Sequence, residues 1–172
     1  MAISRAGAPA SMTKAPRPRA RRPVALIVVS AITAFLGLTA VAGGTEMVAF
    51  RSGNSFLPPA WLDRLPLVDS WLGPGLVLGL GFGVGALVAT YGLLRRPRWR
   101  LTAPVERLTG QHWSWVASVL LGIGLVVWIA LEVIYLPDRS WLELVYGLLG
   151  MLLAALPWSR PVRADLRVTV QS

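Results

Sequence analysis

The chain contains no cysteine. Disulfides, thiol redox chemistry and cysteine-ligated metal sites are therefore excluded. Histidine occurs once, at His112. With no second histidine to join it, His112 is not expected to hold a metal and reads as an interfacial residue just ahead of Trp113. Charge is scarce as well: 15% of residues are Asp, Glu, Lys or Arg, against ~25% in a typical soluble domain. A chain this poor in charge is expected to have lipid as the solvent for much of its surface. Lysine occurs only at Lys14, among seventeen basic residues, which points to a high-G+C genome and says nothing of mechanism. No phosphate loop, no Ser/His/Asp set and no metal-ligand spacing is present. The balance leans away from an enzyme, and no cofactor is expected. The net charge of +9 is not a nucleic-acid footprint, because no binding fold accompanies it.

What the chain has instead is long apolar runs. Hydrophobic residues make up 55% and mean hydropathy is +0.60. The stretch from Trp113 to Trp158 organises the rest. It holds two apolar runs joined by Pro137-Asp-Arg-Ser140, which is a helical hairpin of membrane length at ~20 residues per span. Two further runs precede it, so the expected fold is all-α: a four-transmembrane-helix bundle with spans at about 23–43, 71–94, 113–136 and 141–156. Residues 1–22, rich in Ala, Pro, Ser and Arg, read as a disordered basic tail. Residues 23–158 read as the membrane domain and 159–172 as a short polar tail. The first run resembles a signal peptide ending at Ala40-Val41-Ala42, but it exceeds the usual ~7–15-residue apolar core, and an uncleaved first span is expected. In the first connection, Pro59-Ala-Trp-Leu-Asp-Arg-Leu-Pro66 is expected to form a short helix. It should lie on the membrane surface with Trp61 at the headgroups; the alternative is a lid over a cavity.

Basic residues are unevenly placed. Fourteen lie before the first run, in 95–112 and after the fourth run, and three in the other two connections. Cytoplasmic flanks carry the excess of Lys and Arg. The expected topology is a multi-pass protein of the cytoplasmic membrane with both termini cytoplasmic. Six of the eight acids then fall on or near the outer side, with Glu106 and Asp165 the exceptions.

Two features suggest specific roles. In the second span Gly75, Gly79 and Gly83 form one i, i+4 series and Gly81 and Gly85 another, a spacing that lets a neighbouring helix approach closely. Gly79-Leu-Gly81-Phe-Gly83 has the density of a dinucleotide loop, but it lies within an apolar run and follows no strand. In the third span Glu132 sits ~6 Å below the end of the helix at 1.5 Å per residue. An ionisable group at that depth is costly and is a functional hypothesis by default. Trp128 lies one turn deeper on the same face. The candidate ligand-binding residues are Glu132, Trp128, Glu46, Tyr135 and Tyr146, around a small outward-facing acidic pocket. The competing reading pairs Glu132 with Arg139 or Arg51. Ser140-Trp-Leu-Glu143 matches a capping box, which gives Glu143 a structural role.

Gly43-Gly44, Leu57-Pro58, Trp61-Leu62, Pro66, Asp69 and Pro74-Gly75-Leu76 in the first half form a pattern. Trp128-Ile129, Glu132, Ser140-Trp141-Leu142, Tyr146 and Gly150 continue it in the second. In these residues the chain resembles small uncharacterised four-helix integral membrane proteins of high-G+C bacteria, and it is similar to DoxX-like proteins in topology only. The resemblance implies fold and location and brings no agreed activity. Two functions remain open. One is a non-catalytic accessory or interaction subunit, with a membrane-protein partner or a homo-oligomer in the lipid bilayer. The other is a small transporter or lipid-binding protein using the acidic pocket around Glu132.

Overall fold

The computed structural model describes residues 22–55, 57–66, 68–136 and 140–168. It is an all-α bundle in which four helices are long and apolar enough to cross a membrane, compatible with a multi-pass membrane protein. These are α1 (Val24–Ala49), α2 (Leu72–Arg95), α4 (Trp113–Tyr135) and α5 (Trp141–Ala155), the last extended by a 3₁₀ turn over Leu156–Trp158. Two short helices, α3 (Ala103–Thr109) and α6 (Arg160–Asp165), lie at one end of the bundle. The α1 helix packs along α2, α2 along α4 and α4 along α5, and α1 also meets α5. The end carrying α3, α6 and Arg96 is the basic end; the end carrying Glu132 and the 50–71 connection is the acidic end.

Burial follows helical periodicity. On α1 the buried positions are Leu26, Val29, Ser30, Thr33, Leu36, Gly37, Ala40 and Gly44, which recur every turn along one face as an amphipathic pattern requires. They meet Ala86, Leu93, Leu125 and Leu153 in a common core. The outer faces are apolar too: Ile27, Leu38, Leu80, Ile123, Leu144 and Leu148 are all exposed. In water such a surface is untenable, whereas hydrocarbon chains solvate it. The buried hydroxyls of Ser30 and Thr33 are satisfied within α1, donating to Leu26 O at 2.8 Å and Val29 O at 2.6 Å.

Small residues set the helix spacing. Gly44 of α1 lies against the backbone of Gly79 and Gly75 in α2, and Gly122 of α4 against the backbone of Leu153 and Ala154 in α5. A Cβ on Gly75 would come within 2.7 Å of Met47 Cβ, and one on Gly83 within 2.6 Å of Val41 Cγ2. The series Gly75, Gly79 and Gly83 thus packs against α1, as its spacing implied. The second series does not pack in the same way. Gly81 has nothing within 4 Å of where its Cβ would be, and Gly85 meets only Leu121 Cδ2, at 3.8 Å, outside its own helix. The reason is that one helix face is already turned to α1, which leaves Gly81 on the outward side.

The middle of α2 departs from α geometry. Val77–Val84 is π-helical, and the N–H of Gly85 reaches Leu80 O, five residues back. Such segments shift the register of everything that follows and recur at functional sites. Three glycines in eight residues leave few side chains to crowd the widened turns.

Several boundaries differ from the sequence expectation. The α1 helix continues to Ala49 rather than ending near residue 43, because 43–49 holds no proline and its one charge, Glu46, is tolerated at the helix end. Glu46 therefore belongs to α1 and not to the connection. The tail is also more than polar: Val162 is 0% exposed and Leu166 2%, an i, i+4 pair that docks α6. The segment then clips to the α3–α4 connection, with His112 N donating to Leu166 O at 2.8 Å and Val168 N to Gly110 O at 3.2 Å. Arg96, in the left-handed conformation at the end of α2 (φ 52°), pairs with the Asp165 carboxylate. Of the basic N-terminal tail expected at 1–22, only Arg22 falls within the described residues, and it donates to Leu94 O at 2.8 Å.

Candidate functional site

At the acidic end, α1, α2, α4 and α5 diverge around a cavity of about 660 Å³. This lies within the ~300–1,000 Å³ typical of small-molecule sites. Leu36, Leu78, Leu125 and Ile129 contribute its apolar wall, and polar groups gather on the α4 and α5 sides. Glu132, Trp128, Tyr135 and Tyr146 all line it. Trp128 and Glu132 are one helical turn apart on α4, so their side chains stack on one face. Trp128 Nε1 donates to Glu132 Oε1 at 2.7 Å. The indole is fixed in turn by an edge-on contact with Phe82 from the π-helical segment, 5.9 Å between ring centroids. Tyr146 is held by Phe35, stacked at 6.3 Å. These contacts give the carboxylate one donor, in a fixed place, on rigid helices.

Glu46, the remaining candidate, is not part of the wall. Its Oε1 accepts from Asn54 Nδ2 at 3.2 Å, while Asn54 Oδ1 accepts from Leu57 N at 2.8 Å. Glu46 thus anchors the connection that borders the cavity. That connection carries a 3₁₀ helix, Pro59–Arg64, from which Trp61 turns to the cavity together with Leu65 and Pro66. The helix has no buried residue and borders the cavity through Trp61, a placement compatible with a membrane-surface helix as well as with a lid. Tight prolines at 58 and 59 hold the chain in the turn, and the Trp71 N–H, donating to Arg51 O at 3.0 Å, closes the connection on itself.

Glu143 is the residue that sequence reasoning assigned elsewhere. Ser140 does cap α5, but its hydroxyl accepts from Leu142 N at 3.2 Å, and the Glu143 side chain does not reach back. Glu143 instead lines the cavity with Glu132. Neither carboxylate forms an ion pair with a described residue, which leaves the Arg51 pairing unformed. Arg139, the other suggested partner, lies outside the described residues. Trp71, 3% exposed, belongs to the same wall, and its indole N–H has no partner among the described residues. No group of three or more His, Asp or Glu suited to a metal occurs among the described residues.

The basic end holds a second polar cluster, which sequence distance concealed. His112, just ahead of the third span, is 5% exposed. Its Nδ1 stands 2.8 Å from Ser114 Oγ and its Nε2 3.2 Å from Pro97 O. These bonds place the proton on Nε2, with Ser114 Oγ donating to Nδ1. Glu106 Oε1 lies 3.8 Å from Nε2 and accepts from Trp113 N at 3.3 Å. Ser, His and Glu thus meet although the sequence appeared to separate the histidine from the acids. The arrangement is a cap for α4, not a nucleophile: Ser114 is 0% exposed, and Nε2–H is given to Pro97 rather than to Glu106.

Burial, above all, pushes the His112 imidazole below its ordinary value, outweighing the Pro97 bond and the Glu106 charge that favour the proton. The folded state thus resists a proton that the unfolded chain accepts near pH 6.5. Stability is full above that pH and declines as pH falls below it, toward the folded value. Melting in detergent from pH 8 to pH 5 should show this loss, and His112→Gln should flatten it. An identical pH profile in the variant contradicts the assignment.

No family model, curated protein or solved structure matches the chain.

Proposed function

We propose that the protein is a membrane-embedded binding protein for a hydrophobic small molecule, taken up in the acidic-end cavity with its polar end at Glu132. The observation that carries this reading is the cavity itself. Its wall is mainly apolar, and its polar groups converge where Trp128 fixes one carboxylate. Apolar cavities with a few placed polar groups are how proteins hold small ligands. The 3₁₀ helix over 59–64 borders the cavity mouth through Trp61.

The accessory-subunit reading leaned on the glycine faces of α2. Gly75, Gly79 and Gly83 pack against α1 of the same chain and offer no free docking seam, which leaves the outward-facing Gly81 side of α2 for that reading. Purification in mild detergent followed by mass spectrometry of proteins and lipids separates the two readings. A small molecule retained in proportion to the chain supports ligand binding. An empty chain carrying a stoichiometric membrane protein supports the accessory role.

The proposed orientation places both termini in the cytoplasm and opens the cavity to the outer face, by the excess of basic residues at the opposite end. Reporters fused after Arg96 and after Arg167 should read as cytoplasmic, and one inserted in 51–56 as external. An external signal after Arg96 inverts the assignment.

A further inference from the structure

Building on the proposed ligand-binding function, we propose that the occupant is a cationic amphiphile, with an ammonium head between Glu132 and Glu143 and a hydrocarbon chain along α1 and α2. Among the described residues, the wall contains two carboxylates and no Lys, Arg or His. A carboxylate only accepts hydrogen bonds when ionised. Trp128 supplies a single donor to Glu132, and the Glu143 side chain has none among the described residues. Such a pair facing the cavity lacks what an ammonium supplies: positive charge and, for an amine, N–H donors.

The aromatic content of the wall points the same way. Trp61, Trp71, Trp128, Tyr135 and Tyr146 all face the cavity. Ring faces attract cations, and cages of Trp and Tyr beside an acid are how proteins recognise quaternary ammonium groups. Tyr135 and Tyr146 come from α4 and α5 on the carboxylate side, while Trp61 comes from the 3₁₀ helix at the mouth. An anionic head would meet two like charges here, and an uncharged head would leave at least one acid unmatched. A bare metal ion finds no ligand set among the described residues and leaves the apolar part of the cavity empty. The unpartnered, buried indole N–H of Trp71 in the same wall is a second sign of an occupant. A buried donor left unpaired costs free energy; an ammonium cannot meet it, so it marks an acceptor-bearing part of the guest away from the head.

The chain along α1 and α2 fits the remaining surface. Leu36, Ala40, Leu78 and Leu125 continue the cavity away from the carboxylates. A membrane lipid with an amine head and a free amphiphilic amine share this chemistry. The mass of the occupant extracted from the purified protein tells these two sources apart.

The test uses the full chain in nanodiscs of uncharged lipid, with three probes of one chain length: dodecyltrimethylammonium, dodecanol and dodecyl sulfate. Binding is read as occupancy by native mass spectrometry, each probe being titrated below its micellar concentration. The expected order is ammonium, then alcohol, then sulfate, with the first two separated by at least about ten-fold, which corresponds to one well-made charged contact. Glu132→Gln should shrink that separation while leaving dodecanol binding in place, and Glu132→Gln with Glu143→Gln should abolish it. Equal binding of ammonium and alcohol to the wild type overturns the charge-reading claim. A preference that survives the double substitution does so too. Should the double variant fail to fold, the wild-type ranking decides alone. If dodecanol also binds with no dependence on residues of the cavity wall, the underlying ligand-binding function fails, separately from the cationic head.

Discussion

Gly122→Leu should destroy the bundle, and Gly81→Leu should leave it intact. Both are glycines in apolar helices, and sequence alone ranks the second as the more suspect. Gly122 lies directly on the backbone of α5, where a Cβ would come within 2.7 Å of Leu153 C and 2.8 Å of Gly150 O. Neither atom can rotate aside, because both are part of a helix ladder. The two helices must separate, and the contact through Gly150, whose Cβ position is itself 3.1 Å from Gly122 O, goes with them. Overpacking a core costs typically ~1–3 kcal/mol and occasionally more; a clash between two backbones sits at or above the top of that range. Gly44→Leu should behave in the same way, since a Cβ there meets the backbone of α2. Around Gly81 nothing lies within 4 Å, and leucine is also the better helix former. Thermal unfolding in detergent should show Gly122→Leu and Gly44→Leu melting far below wild type, or not accumulating at all. Gly81→Leu should melt at or above it. Equal melting of all three would remove the close-packing account.

Much of this architecture could be read in advance, because it depends on local periodicity. Apolar runs of membrane length gave the four spans. The four-residue spacing of Trp128 and Glu132 put them on one face without any tertiary knowledge, and the bond between them is a helix-surface contact. The i, i+4 series Gly75, Gly79 and Gly83 was legible for the same reason. Gly81 was misjudged because a helix has one face per neighbour, and the sequence does not say which series wins it. The π-helical segment left no sequence signal beyond its glycines.

The errors at the site have a common origin in contacts between distant residues. Glu143 matches a local capping pattern, and that pattern hid its position on the cavity wall. Glu46 looked like a partner for Glu132 because both are acids near one end; Asn54, eight residues on, claims it instead. His112 and Glu106 are brought together only when α3 folds back on α4, helped by Gly110 at φ +64°. The burial of Val162 and Leu166 was visible as an i, i+4 pair in the tail, but three arginines around them made the segment read as solvated. The sequence favoured a membrane-surface helix at 59–66 over a lid, since a short amphipathic helix between prolines suits a membrane surface. Its contacts with the wall, through Trp61 and Leu65, are long-range.

Thr39→Trp should empty the cavity while leaving the fold in place. Thr39 lines the wall on α1, and its hydroxyl serves only its own helix, donating to Phe35 O at 3.0 Å and Leu36 O at 3.2 Å. Replacing it breaks no contact between helices, and the added indole projects into open space rather than into packed atoms. Thr39→Val removes the hydroxyl and keeps the volume, so it should retain whatever the wild type retains. The decisive measurement is the small-molecule content of the protein purified in mild detergent, counted per chain by native mass spectrometry for these three forms. The expected result is roughly one hydrophobic molecule per chain in the wild type and in Thr39→Val, as for a single site of this size. Thr39→Trp should show near none, with unchanged melting. An empty wild-type chain, or a retained molecule indifferent to Thr39→Trp, would contradict the cavity as the functional site.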